Sequence, residues 1–462
     1  MMRKSGVDIM KIRYELNMTQ GSIFKSIILF TFPMMLSSIL QLFFNTADLI
    51  VVSRWSGSNA MASVGSTSAL TNMIVNLFIG MSIGATVAVS RNYGAGNREG
   101  MDRAIHTSMF FSIIVGLSAF VIGQMLCKPL LILMDTPSGK VLDGAVLYMR
   151  IIFLGTPATV AYNYGASILR AIGDTKRPLY ILAISGTVNF VLNLIFVIFF
   201  NMGVAGVALA TAISKYISAI LVLTALKEKN SNCRLEFKKL KIYKKELRLI
   251  LKIGVPAGIQ NIFVGFANTI IQSAVNGFGT AAIAGNAAAA NIESYAVAVK
   301  AAFRQATVTA VGQNYGAKNE KRISQSVRTA MICMIVGCLF LGGLMTIFSK
   351  QLLGIYITDS DDAIRFGTMR IILTAIPYFF SGIHEITAGY LRGIGYSTLT
   401  TVNAFIGMVI FRISYVLFVF PIFNTFEVLY LGTPTTWILI SILNAISLLF
   451  VKKKAMIKMY QN

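Results

Sequence analysis

A single carboxylate in an otherwise apolar run poses the chemical question of this chain. Phe24 to Ile50 reads FKSIILFTFPMMLSSILQLFFNTADLI, long enough to cross a hydrocarbon core of about 30 Å as a helix. Gln41, Asn45 and Asp48 stand at i, i+4 and i+7, so they share one face of that helix. An ionised Asp near the middle of a span costs roughly 2.5–3.5 kcal/mol on insertion scales, and such residues usually face a bundle interior or a watery cavity. Asp48 is therefore the first candidate site; the plainer alternative is a carboxylate that snorkels to the outer interface. Pro33, inside the same run, removes a backbone donor and predicts a helix kink, and Pro256 occupies the corresponding place later.

Neutral oxygens follow in the same half of the chain. Asn163 falls in a fourth apolar segment, Asn189 and Asn193 in a fifth, and Thr211 in a sixth; Asn189 and Asn193, at i and i+4, share a face. If six helices close round a cavity, these groups converge with Asp48. One carboxylate among neutral oxygens suits a hard cation such as Na⁺, or a proton held on the carboxyl. The bland alternative is that buried Asn side chains join helices by hydrogen bonds.

The second half carries different chemistry. Glu293, Lys300 and Arg304 are spaced i, i+7, i+11 on one helix face, His384 and Glu385 lie in a tenth segment, and Arg412 in an eleventh. Isolated charges there are expensive, so pairing is expected between Glu293 or Glu385 and Lys300, Arg304 or Arg412. That arrangement reads either as a rigidifying ion-pair network or as a site for an anionic or zwitterionic group. Gln260 or Asn261, with Asn268 and Gln272, adds a polar stripe expected to line a cavity.

Positioning these residues requires a membrane bundle. Of 462 residues 55% are hydrophobic and 13% charged, with a mean hydropathy of +0.70, whereas soluble domains carry about 25% charged residues. Twelve candidate spans fall at roughly 26–50, 60–90, 104–126, 145–169, 179–200, 204–226, 250–275, 282–312, 326–348, 367–391, 399–420 and 432–450. The first twenty residues are polar, so no cleavable signal is expected. The net charge of +23 belongs to alternate connections and the ends, as the positive-inside rule requires, and not to a nucleic-acid surface. Arg3, Lys4, Lys11 and Arg13, the stretch from Lys227 to Lys252, and Lys452 to Lys454 place both termini in the cytoplasm of a multi-pass protein of the cell inner membrane.

The chain also repeats itself. Asn92-Tyr93-Gly94-Ala95 returns as Asn314-Tyr315-Gly316-Ala317, and Leu169-Arg170-Ala171-Ile172-Gly173 as Leu391-Arg392-Gly393-Ile394-Gly395, both 222 residues later. Pro33 with Asn45-Thr46 returns as Pro256 with Asn268-Thr269 at 223, and Met149-Arg150 with Pro157 as Met369-Arg370 with Pro377 at 220. Six spans per half give both repeats one orientation, implying a pseudo-two-fold axis along the membrane normal, a plan used by alternating-access transporters. The expected fold is an all-α polytopic membrane protein of twelve transmembrane helices in two six-helix lobes: residues 1–226, a basic cytoplasmic linker 227–249, and 250–462. Gly80 and Gly84 have a small-xxx-small spacing that allows close helix approach. The Tyr-Gly-Ala turns at Tyr93 and Tyr315 are expected to cap helix ends. No Walker motif is present, and no nucleophile, base and orienter stand together, so an enzyme is not expected. Two histidines exclude a multi-histidine metal site, and the four cysteines show no metal or redox spacing.

Taken together, Thr19-Gln20-Gly21-Ser22-Ile23, Pro33 with Asp48, Ile168-Leu169-Arg170-Ala171-Ile172-Gly173-Asp174-Thr175-Lys176, the run from Gly203 to Thr211, and Gly312 to Ala317 carry a resemblance. Along nearly its whole length the chain resembles the multidrug and toxic compound extrusion (MATE) family; the stretch from Ala284 to Glu293 is similar to a bacterial branch common in Gram-positive anaerobes. The resemblance implies two six-helix lobes round a central cavity, exporting amphipathic, often cationic compounds against inward Na⁺ or H⁺. It implies that Asp48 carries the coupling cation, with Asn163, Asn189, Asn193 and Thr211 around it. Many members have Asp where this chain has Asn193, and Lys300 and Arg304 depart from the family pattern. The expectation is thus a monomeric secondary antiporter of small amphipathic molecules in the lipid bilayer. It needs no cofactor beyond Na⁺ or H⁺ and no nucleic-acid partner. Its rivals are a flippase for lipid-linked oligosaccharide or peptidoglycan precursors, and a channel.

Overall fold

The computed structural model describes residues 15–228, 233–358 and 360–461; Arg3, Lys4, Lys11 and Arg13 lie outside them. Among the described residues there is no strand. The first half holds Ile23–Trp55, Gly57–Gly94, Arg98–Leu133, Lys140–Ala171, Lys176–Phe199 and Gly203–Leu226 as spans 1 to 6. The second holds Lys244–Asn276, Thr280–Gly316, Glu320–Ile347, the pair Asp361–Ala375 and Tyr378–Gly393, then Ser397–Phe423 and Phe426–Gln461 as spans 7 to 12. Ten of these helices are long and apolar enough to cross a membrane, and the bent pair of span 10 makes an eleventh. Span 8 is the twelfth; it carries Glu293, Lys300 and Arg304, and its second half is almost wholly buried.

The repeat is built into local structure. Asn97 starts span 3 by accepting from the Gly100 amide, and Asn319, its counterpart 222 residues on, starts span 9 by accepting from Arg322. Spans 1 and 7 run without interruption through Pro33 and Pro256. Span 10 does not: it bends by 49° at the break before Tyr378, where Pro377 supplies no amide to continue the ladder. The corresponding Pro157 stays inside an unbroken span 4.

The halves meet at one end. Gly80 and Gly84 of span 2 lie against Gly258 and Ile250 of span 7 so closely that a Cβ would fall 2.5 and 2.2 Å from their backbones. Absent side chains allow that approach. Further along, Gly94 backs onto Gln313 and Gly316 onto Arg91. Arg91 Nη2 donates to the Gly393 carbonyl at 2.8 Å, and its guanidinium lies 4.3 Å from the Tyr315 ring centre. Gln313 donates to the Ala171 carbonyl at 2.9 Å and accepts from the Met18 amide at 2.8 Å. The Tyr-Gly-Ala turns thus end their helices and also form the seal between halves. The linker packs on this end too: Glu236 N donates to His106 Nε2 at 3.1 Å and Tyr243 N to Thr107 Oγ1 at 3.1 Å.

Candidate functional site

Away from the seal the helices diverge around two cavities. The first, about 260 Å³, lies wholly within the first half and is walled by late span 1 and early spans 2, 4 and 6. Gln41, Asn45 and Asp48 all face it, so the polar stripe points inward and not at lipid. The Asp48 carboxylate is held from span 5. Asn193 Nδ2 donates to Oδ1 at 2.5 Å. The Asn189 amide nitrogen, turned towards the carboxylate, donates to Oδ1 at 2.9 Å and Oδ2 at 3.1 Å, while its oxygen accepts from the Thr211 amide at 3.2 Å. Hydrogen bonds to an ionised acceptor are about twice as strong as neutral ones, so two amides on consecutive turns make a firm cradle for a negative charge.

Two residues that sequence reasoning did not place in this site line it. Lys215 stands four residues after Thr211 on span 6, and Tyr148 faces the cavity from span 4. A lysine inside an apolar span was the available signal for Lys215. Asn163 departs from expectation. It sits one turn past Thr159, which lines the cavity, and its own amide nitrogen is buried without a hydrogen-bond partner.

The second cavity, about 660 Å³, lies between the halves and shares Gln41, Asn45, Asn72 and Val75 with the first. Asn268, Glu293, Lys300, His384, Glu385 and Arg412 line it. The pairing differs from the expected set. Arg304 Nη1 does meet Glu385 Oε2 at 2.8 Å. Glu293, however, pairs with Arg370 at 2.6 Å and accepts from Thr374 Oγ1 at 2.7 Å. Arg370 also donates to the carbonyl and side-chain oxygens of Asn286, at 2.9 and 2.6 Å, and Tyr430 donates to the same side-chain oxygen. Lys300 instead donates to Ser381 Oγ at 2.7 Å and lies 3.7 Å from the Tyr378 ring centre. Gln260 departs as well: it is buried and accepts from Arg392 Nη2 at 2.9 Å, and neither residue lines the cavity. Arg392 is fully buried, and its place in the repeated Leu-Arg motif was the only sequence signal for it.

Removing one partner of a buried ion pair strands the other, at a cost of about 3–5 kcal/mol. Arg370→Ala should therefore lower the thermal midpoint of the purified protein sharply, and Arg370→Met combined with Glu293→Gln should recover most of that loss. A double variant no more stable than Arg370→Ala would show that the pair is not the unit of stability.

Among proteins of known sequence and structure, the MatE family model matches residues 33–195 and again 256–417, once in each half. A probable multidrug resistance protein of Bacillus subtilis (strain 168), YoeA, is 28% identical over 387 residues, covering 82% of each chain. An outward-facing structure of a multidrug resistance MATE family transporter superposes with a TM-score of 0.87 at 20% identity, over 96% of this chain and 98% of that one. A transporter of the MOP superfamily from Pyrococcus furiosus Vc1, for which reverse polarity of the binding pocket is said to suggest a different function, superposes with a TM-score of 0.84 at 21% identity, over 96% and 97%. The two family matches begin at Pro33 and Pro256, the same prolines that mark the internal repeat. Twelve spans in two repeated halves, a carboxylate cradled in one of them and a double match to one family model give one conclusion: this chain belongs to the MATE family of membrane transporters.

Proposed function

We propose that the protein is a secondary antiporter that exports small amphipathic compounds across the cytoplasmic membrane in exchange for Na⁺ or H⁺. The observation that carries this reading is the Asp48 carboxylate, held by Asn189 and Asn193 in a cavity that adjoins the cleft between halves. With both termini in the cytoplasm, the sealed end is the inner one and the cleft faces outward. In this form the carboxylate accepts from two amide donors. The buried Asn193 Oδ1 has no hydrogen-bond partner, so rotation of that amide would offer an acceptor to an arriving cation. Neutralising Asp48 then weakens the hold of span 5 on span 1, and Lys215, on the same cavity wall, gains freedom from the carboxylate's field. Coupling follows if cation and cargo bind the two conformations with different affinities.

The test is transport of an amphipathic dye in proteoliposomes with the Na⁺ and pH gradients imposed separately. Saturable dye movement that follows one gradient and stops when it is dissipated is expected. Flux that persists at full rate with both gradients collapsed would point to a channel and sink the reading. A flippase for lipid-linked oligosaccharide or peptidoglycan precursors is the second reading, and one observation favours it: the cavity between the halves presents more positive than negative side chains. Competition by a lipid pyrophosphate and not by an amphipathic cation would select it.

A further inference from the structure

We infer that the cavity between the halves contains an anion-binding subsite, in which Arg412 and Lys300 take a phosphate-type oxyanion while Tyr378, Tyr430 and Trp437 receive the apolar body of the same ligand. This deepens the transport reading and rests on it for the cleft being a ligand passage.

The charge balance carries the inference. Four cations, Lys300, Arg304, Arg370 and Arg412, belong to this cluster, against the carboxylates Glu293 and Glu385. Arg370 takes Glu293 and Arg304 takes Glu385. Lys300 and Arg412 remain, each only 5% exposed, and among the described residues neither has a carboxylate within 4.0 Å. A network serving rigidity alone would pair them, because a buried unpaired charge is costly. Lys300 is partly compensated by Ser381 Oγ and by the ring faces of Tyr378 and Trp437. Arg412 has no such compensation: its Nε is buried without a hydrogen-bond partner, and its guanidinium lines the cavity. The planar guanidinium fork matches an oxyanion's geometry, and an ammonium nearby adds a point charge. His384, with Nδ1 also buried and unpartnered, stands on the same wall.

The backbone around Arg412 is unusual in the same place. Phe405–Phe411 before it and Tyr415–Val419 after it are π-helical, a widened turn frequent at functional sites. The first half has its own π-helical turn, Ile195–Phe199, directly after the Asn193 that holds Asp48. It lies 220 residues before Tyr415–Val419. Each half therefore widens the same helix beside its distinctive polar residue, a cation cradle in one and an unpaired guanidinium in the other. A volume of about 660 Å³ admits a drug-sized amphiphile.

Trp437 provides the readout. The chain has two tryptophans, and Trp437 stacks edge-on to Tyr378 at 5.2 Å and lies 5.3 Å from the Lys300 ammonium. With Trp55→Phe, all tryptophan emission comes from the subsite. The full-length protein in phosphatidylcholine nanodiscs is titrated with octyl phosphate, octyltrimethylammonium and inorganic phosphate, then with octyl phosphate again in nanodiscs containing phosphatidic acid. Octyl phosphate should perturb Trp437 saturably and bind at least tenfold more tightly than octyltrimethylammonium. Arg412→Gln should weaken it tenfold or more, and Arg412→Lys should recover part of the loss. Inorganic phosphate acting alone identifies a free anion as the ligand, and competition by phosphatidic acid identifies a lipid headgroup; both uphold the subsite. Equal affinity for the two octyl compounds, or a change of less than twofold in the Arg412→Gln and Lys300→Gln double variant, overturns it. If Arg412→Gln does not purify as a monodisperse protein, the ranking of the two octyl compounds decides alone. The titration needs no gradient. Intact binding without coupled flux therefore refutes antiport only, and coupled flux without anion binding refutes the subsite only.

Discussion

Asp48→Asn should reduce gradient-driven export at least a hundredfold while leaving a folded, monodisperse protein. The amide is nearly isosteric but takes neither a proton nor a metal cation at neutral pH, so the site keeps its shape and loses its charge cycle. Asn189 and Asn193, which now donate to a carboxylate, meet a neutral carbonyl in the variant and lose charge assistance worth about 1–2 kcal/mol. Against that, the cost of holding an ionised group among helices disappears. The two terms nearly cancel, and the thermal midpoint should stay within a few degrees of the parent. Asn193→Ala, which removes one donor and leaves the carboxylate, should slow export by about tenfold, using the same range for a charge-assisted hydrogen bond. Dye uptake into everted vesicles, driven by Na⁺ or H⁺ loaded in the lumen, measures all three proteins. Wild-type export by Asp48→Asn would remove Asp48 from the coupling step.

Much of the frame was legible because hydropathy and repetition are one-dimensional signals. Apolar runs gave twelve spans, and the 222-residue spacing of Tyr93 and Tyr315 gave two halves before any contact was known. Asn189 and Asn193 could be tied to each other because i, i+4 spacing fixes a shared face, and to Asp48 through the family resemblance. What the sequence did not hold is the rotation of one helix against another. Asn163 belongs to an apolar span just as Thr159 does, yet only Thr159 reaches the cavity. Glu293 has cations two and three helical turns further along its own helix, yet its partner is Arg370 on another. The 49° bend of span 10 separates Arg370 from His384 and Glu385, and a break that depends on context cannot be read from Pro377 when Pro157 produces none. Lys215 was visible as a charge within a span and Arg392 through the repeated Leu-Arg motif, but the Gln260 that Arg392 meets lies on another helix.

The two halves share a backbone plan and oppose each other in charge. In the first, a carboxylate is surrounded by amide donors and balanced by Lys215 on the same cavity wall; in the second, two acids are consumed by two arginines and positive charge is left over. The cavities share four lining residues, so a ligand spanning both would meet a cation-seeking group at one side and an anion-seeking group at the other. Repetition of the fold is thus compatible with the lobe motion proposed above, while the chemistry of each lobe varies without disturbing it.

That motion has a steric lock which a single methyl group should break. A Cβ on Gly94 would lie 1.8 Å from the Gln313 carbonyl oxygen, and one on Gly316 would lie 1.9 Å from that of Arg91. Both obstructions are backbone atoms, so no rotamer change relieves them and the sealed ends must move apart. The bonds of Arg91 to Gly393 and of Gln313 to Ala171 span that seam and would lengthen together. If the sealed state loses about 3 kcal/mol, its population relative to the alternative falls more than a hundredfold, since each 1.4 kcal/mol is tenfold. Gly94→Ala and Gly316→Ala should each slow export tenfold or more, and should do so alike, because each glycine occupies the other's place in the repeat. Ser90, fully buried beside Gly312 at the seal, reports the opening. A Ser90→Cys protein stripped of its native cysteines should resist a membrane-impermeant maleimide, and adding Gly94→Ala should speed labelling at least tenfold. Gly343→Ala is the control: an added Cβ there meets nothing within 4 Å, and Ala is favoured over Gly inside a helix by about 1 kcal/mol, so transport and labelling should not change. Unaltered labelling in Gly94→Ala would mean that the seam tolerates the methyl by local adjustment, and that the glycines do not hold the halves closed.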